Sequence, residues 1–315
     1  MMLAELVTSY ITLKRAAGMR FHSEVGVLKS FCRAMGDVVI TEADPQKVQA
    51  FLDGQGPLTT YWRQKYKILS GFYRFALNRG YLQVSPLPRA VPKCPPPMIP
   101  YIYSVAELRR LLDATECLHT PKSPLQATTF HTLLLLLYGT AMRVSEALTL
   151  SLADVNLDES LITIRDTKFY KSRWVPIGPK LTLTLTSYAQ RRRRLPLPQG
   201  EASAFLVTRT GHRLSYEQVN QLFGRVRGHA HVKREAKARY QPRLHDLRHT
   251  AIVHRVVAWY QAELDVGQWL LPLSTYVGHG EIKSTQRYLS MTPELLSAAN
   301  QRFERYAELG DGHEN

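Results

Sequence analysis

Apolar positions recur at helical spacing through most of the chain and fall into two segments. In the first, the i, i+3, i+4 pattern predicts four helices, over residues 3–16, 22–35, 44–52 and 59–78. The last carries Trp62, Tyr66, Leu69, Tyr73 and Ala76 on one face and Arg63, Lys67 and Arg74 on an adjoining stripe. Seven prolines between Val84 and Pro100 then interrupt the periodicity. Such a run takes extended polyproline geometry and acts as a semi-rigid connector. In the second segment Ser104, with Glu107 three residues on, gives a capping-box helix start, and a helix over 124–139 contains the apolar run 133–137. Alternation at 161–165 and 173–177 predicts a β-hairpin, with 205–208 as a candidate third strand. Further helices are predicted over 181–192, 216–227, 245–260, 273–277, 282–289 and 293–309. The fold expected is mainly α with a small antiparallel β-sheet. It divides into a helical domain at 1–83, a proline-rich linker at 84–100, a second domain at 101–291, and a C-terminal helix and tail at 292–315.

Composition narrows the class. A chain of 315 residues, 44% of them hydrophobic, can fill real cores, which excludes disorder as its main state. Its longest apolar stretch, 133–138, is far short of the roughly 20 residues of a membrane span. Residues 1–18 carry Glu5, Lys14 and Arg15, unlike a signal peptide, so a soluble cytoplasmic protein is expected. Cys32, Cys94 and Cys117 are widely spaced, suggesting neither disulfides nor zinc. Forty-one Lys and Arg against 26 Asp and Glu leave a net charge of +15. That excess points to a polyanion, with nucleic acid ahead of an anionic membrane or a merely basic surface. Residues 59–79 hold five basic residues and no acid, whereas solvated faces usually mix signs; contact with a DNA backbone is therefore the preferred reading of the stripe. The Arg191 to Arg194 run reads as a localisation signal, a phosphate patch or a solvated helix end.

Three clusters in the second segment carry candidate chemistry. In G-T-A-M-R-V-S-E, 139–146, a helix breaks at Gly139 and another begins at Arg143. The helix dipole disfavours a cation there, so Arg143 makes sense if it and the free backbone N–H groups receive an anion. The alternative is a structural pair with Glu146. In H-D-L-R-H, His245 and Arg248 share a helical face; His249 lies off it and Asp246 reads as a cap, so both default to structural roles. The third cluster is Gly278, His279 and Tyr288, although a tyrosine ending an amphipathic helix is more often core.

Together these clusters resemble the tyrosine recombinase family, the phage integrases that include the Xer recombinases. The likeness lies in their order: A-M-R-V-S-E, a lysine on a hairpin, H-D-L-R-H-T, V-G-H, then Tyr. The resemblance implies a four-helix core-binding, SAM-like first domain and a tyrosine recombinase catalytic domain. It implies Arg143 and Arg248 as the arginine pair, His245 and His279 as the histidines, Tyr288 as nucleophile and Glu146 as an orienting acid. Lys168 aligns with the catalytic lysine, and Lys171 competes for that role. Candidate DNA contacts are Arg63, Lys67, Arg74, Lys171 and Arg173. The 31 residues from Arg248 to His279 are more than compact family members carry.

The chemistry fits these residue types. The transition state of phosphodiester cleavage gathers charge on nonbridging oxygens, which two fork-shaped guanidiniums match better than lysines. A phenol titrates near about 10 and must shed its proton, for which His245 is the candidate base; Lys168 is the candidate acid for the 5′ oxygen. The family mechanism then gives a 3′-phosphotyrosine, and exchange of one phosphoester for another needs neither cofactor nor ATP. A P-loop, an acidic metal cluster and G-x-G-x-x-G are absent from the sequence. The expected protein is a site-specific recombinase, the integrase or transposase of a mobile element. Its expected partners are duplex DNA with a specific site, a homotetramer assembled on that DNA and related recombinases. In relatives a terminal helix, here marked by Leu295, Ala299, Phe303, Tyr306 and Leu309, docks on a neighbouring protomer; packing on its own domain is the alternative. Competing readings are type IB topoisomerase-like relaxation and a DNA-binding accessory protein that does not cleave.

Overall fold

The four periodic stretches of the first segment are the helices α1 (Leu3–Ala16), α2 (His22–Met35), α3 (Pro45–Asp53) and α4 (Thr60–Asn78). α3 starts where Asp44 accepts a hydrogen bond from the Gln46 N–H at 2.8 Å, with Pro45 at the first helical position. Leu6, Leu28, Phe31, Leu52, Trp62, Leu69 and Phe72 form the core between the helices. α1 approaches α4 closely at Gly71, where a Cβ would stand 2.9 Å from the Tyr10 hydroxyl. Of the five basic residues near α4, Arg63, Lys67 and Arg74 are exposed, but Lys65 turns inward. Its ammonium donates to the Phe51 carbonyl and lies over the Phe51 and Tyr61 rings. The proline-rich stretch lies back on these helices: Leu87 packs on the core and the Tyr66 hydroxyl donates to the Pro88 carbonyl at 3.2 Å.

The computed structural model describes all residues except 20, 96–97, 124, 166–171, 236–237, 239, 280, 287, 289–296, 298–299 and 301–315. The chain separates into two units, Met1–Ile99 and Pro100–Asn315. No helix among the described residues is long and apolar enough to cross a membrane.

The second unit opens with α5 (Val105–Asp113), whose capping box of Ser104 and Glu107 is formed as the sequence predicts. α6 (Ala127–Thr140) is buried nearly all round, through Phe130, Leu133, Leu134, Leu136 and Leu137, and is the central helix. Around it pack α7 (Val144–Thr149), α8 (Pro179–Arg192) and α10 (Asp246–Gln261), with α9 (Tyr216–His229) against α5 and α7. The chain then forms α11 (Val266–Val277) and the short α12 (Lys283–Gln286). The antiparallel sheet has the order β1 (Val155–Asn156), β2 (Leu161–Ile164), β3 (Arg173–Pro176), with Ile162 paired to both Val155 and Val175.

Three sequence expectations need correction, and a fourth falls outside the described residues. The third strand is the two-residue β1; residues 205–208 contribute only the bridge Val207↔Arg213, because the chain there reverses on itself. α6 runs on to Thr140 rather than breaking at Gly139, and Ala141, left-handed at φ 51°, closes it. Gly139 serves packing, since a Cβ there would meet Leu181 at 2.9 Å. α11 begins seven residues before the expected position: Asp265 caps it, and Val266, Leu270, Leu273 and Val277 bury one stripe despite Pro272 in its interior. The last predicted helix, 293–309, lies largely outside the described residues, as do Leu295, Ala299, Phe303, Tyr306 and Leu309.

Candidate active site

The left-handed turn at Ala141 redirects the chain so that Arg143 becomes the residue capping α7. Its backbone N–H donates to Glu146 Oε2 at 2.9 Å and its guanidinium to Oε1 at 2.7 Å. Arg173, at the start of β3, reaches the same carboxylate through two bonds of 3.1 and 2.8 Å. Glu146 is only 8% exposed. Burial alone would raise its carboxyl, but the bonds from Arg173 and Arg143 hold it down at about 2, so it stays ionised. Arg143 keeps 35% of its side chain exposed, whereas Arg173 keeps 10%.

The C-terminus of α11 organises the cations. Gly278, left-handed at φ 69°, closes the helix: its N–H bonds the Thr275 carbonyl and that of His279 bonds Ser274. The next three carbonyls each receive a different arginine. Arg173 Nε donates to Tyr276 at 3.0 Å, Arg248 to Val277 at 2.8 Å, and Arg143 to Gly278 at 3.1 Å. The helix end that lacks intrahelical partners, and carries the negative end of the dipole, is thereby satisfied by cations. Arg248 also donates to the Ala141 carbonyl at 2.6 Å, tying the end of α6 to the end of α11. Its desolvation and the nearby Arg143 charge lower it to about 10, leaving it protonated at neutral pH. A Cβ on Gly278 would stand 2.5 Å from an Arg173 nitrogen, which gives the glycine of V-G-H a physical reason.

Tyr288 lies beside these groups, 2% exposed, in a small core with Ala141, Ile252, Val253, Val256 and Val277. Its ring is parallel to that of His279, with centroids 6.1 Å apart, and its hydroxyl is 2.7 Å from His249 Nδ1. His249 in turn meets His245 edge to face at 5.0 Å. His279 Nδ1 pairs with the buried Thr285 hydroxyl at 2.7 Å. Desolvation, then Arg248 and Arg143, pull His279 down to about 4; desolvation and Arg248 also lower His245. Both imidazoles are neutral at pH 7.

Arg143, Glu146, His245, Arg248, His279 and Tyr288 are thus gathered in one region, although they come from α7, α10, the end of α11 and the segment after α12. Lys168 and Lys171 lie outside the described residues. Arg173, expected on DNA, is committed instead to Glu146 and Tyr276. His249, assigned by default to structure, holds the phenol; only the rotation of α10 about its axis reveals this, and the i, i+3 spacing hides it. Asp246 is buried and accepts from the Arg243 backbone and guanidinium, each at 2.9 Å.

Comparison with known proteins gives this geometry its context. Residues 104–294, more than half of the chain, match the model of the phage integrase family. The putative integrase/recombinase y4rE of Sinorhizobium fredii is 32% identical, over 95% of this chain and 95% of its own. Tyrosine recombinase XerC of Oceanobacillus iheyensis is 28% identical over 89% and 87%. Among solved structures, the Tn1549 transposon integrase with a circular-intermediate DNA superposes at TM-score 0.70 and 15% identity, covering 97% of this chain and 99% of that one. The chain belongs to the phage integrase family: it is a tyrosine recombinase, an enzyme that cleaves and rejoins DNA strands.

Proposed function

We propose that the protein is the site-specific recombinase of a mobile element, cutting duplex DNA through a 3′-phosphotyrosine on Tyr288. The observation that carries this reading is the burial of Tyr288 between two histidines at the helix end that also anchors Arg143, Arg173 and Arg248. Arg143 and Arg248 hold the nonbridging oxygens as negative charge builds on them. In the tautomer whose Nδ1 accepts from the Thr285 hydroxyl, the neutral His279 carries its hydrogen on Nε2 and offers it to the same phosphate. His245 adds a second neutral imidazole, and Lys168 protonates the leaving 5′ oxygen. Glu146 acts through the arginines that it orients. The mobile-element role is supported by likeness to the Sinorhizobium fredii integrases and, in fold, to a transposon integrase. The protein assembles as a homotetramer on its DNA site, with related recombinases as further partners; a lambda integrase tetramer bound to a Holliday junction shares the fold at TM-score 0.63.

The test is to trap denaturant-stable protein–DNA adducts on fragmented DNA from the source organism and to sequence them. Wild type is expected to give adducts at one repeated sequence, and Tyr288→Phe none. Adducts scattered without a common sequence, with relaxed circles as the product, would point to topoisomerase activity. Absence of wild-type adducts would leave a DNA-binding protein that does not cleave.

A further inference from the structure

We propose that His249 takes the phenolic proton of Tyr288 during strand cleavage and returns it during rejoining. This rests on Tyr288 being the nucleophile. His249 Nδ1 is 2.7 Å from the Tyr288 hydroxyl, inside the reach that proton abstraction requires. α10 fixes that position. Arg248, one residue earlier, is tied to the Ala141 and Val277 carbonyls, which sets the rotation of the first helical turn. A step of about 100° then brings the next side chain onto the phenol. The rings are held from both sides, His249 edge to face with His245 and Tyr288 parallel to His279. At 2% exposure, the tyrosine has little bulk water available to take its proton.

In cleavage the Tyr288 oxygen bonds to phosphorus while its proton passes to Nδ1 of His249, whose neutral form carries the other hydrogen on Nε2. The bond from phosphorus to the 5′ oxygen breaks, and that oxygen takes its proton from the general acid, Lys168 in the reading above. Rejoining reverses each transfer. Among the described residues, His249 meets His245 just before α10, the Tyr288 hydroxyl and the field of His279, and Arg248 and Arg143 act on both of these neighbouring histidines. The arginines oppose an imidazolium there as long as no phosphate is present. A bound phosphate, gaining negative charge as the phenol attacks, offsets that repulsion. Proton transfer is thereby coupled to occupation of the site, which keeps an idle nucleophile protonated.

The experiment uses a duplex oligonucleotide carrying the sequence recovered from trapped adducts, with either oxygen or sulfur bridging to the 5′ carbon. A thiolate leaves without a proton, so the sulfur substrate removes the need for a general acid. His249→Asn retains a polar group near Nδ1 but accepts no proton. Its adduct formation should fall about 10²-fold or more on both substrates, and the limb of the pH–rate profile that reports the base should disappear. Lys168→Ala, by contrast, should recover on sulfur. His249→Ala should regain rate with added imidazole, which a folding defect would not permit. Adduct formation by His249→Asn at the wild-type rate with an unchanged pH profile would overturn the assignment while leaving Tyr288 as nucleophile. A wild-type enzyme that forms no adduct would overturn both.

Discussion

Gly278 admits no side chain, because its backbone is left-handed and the Arg173 guanidinium occupies the space where a Cβ would stand. Gly278→Ala should cost about 1–3 kcal/mol, measured by urea denaturation, and should suppress adduct formation as Arg173 is displaced. The titrating groups give a second prediction. His279 falls from 6.5 to about 4 on folding and His245 also falls, so the unfolded chain binds more protons in that interval. Stability should be full above about 6.5 and decline as pH drops toward 4, a decline that His279→Gln should reduce. Glu146, at 4.5 unfolded and about 2 folded, adds a further loss between those values. Urea midpoints across the pH series check both windows. At this scale the sequence revealed the residues whose order forms a signature, Arg143, His245, Arg248, His279 and Tyr288. It hid His249 and the inward turn of Arg173, because those roles depend on rotation about a helix axis and on which carbonyls lie open at a distant helix end.

Elements were legible wherever one face alone is apolar. α1, α2, α4 and α8 fall within two residues of their predicted limits because burial follows their stripe. α6 announced itself through its leucines, but its end did not: an alanine takes the left-handed conformation that usually marks glycine. The two residues of β1 are too few to show alternation. Pro272 masked the first half of α11, where the buried stripe outweighs the loss of one backbone donor. The accounting of carbonyls at the end of α11 is of this scale too. Two are closed by the turn at Gly278 and three by arginines, and peptide dipoles position those cations without neutralising them. Glu146 supplies a carboxylate that is shared between two guanidiniums.

For the whole molecule, the +15 charge makes DNA binding a matter of displaced counterions, and the exposed stripe on α4 is where we propose that part of it falls. Replacing Arg63, Lys67 and Arg74 together by alanine should reduce the slope of log affinity against log salt by about 0.9 for each phosphate that is no longer neutralised. An unchanged slope in a salt titration would place the stripe away from DNA; sedimentation of the same samples would report a tetramer on DNA and a monomer without it. The end of α11 has a further consequence. The peptide units that anchor the arginines are also the root of the segment that, ten residues after Gly278, delivers Tyr288. A shift of that one stretch of backbone displaces the tyrosine and the three arginine anchors together, so neither is repositioned while the other stays in register.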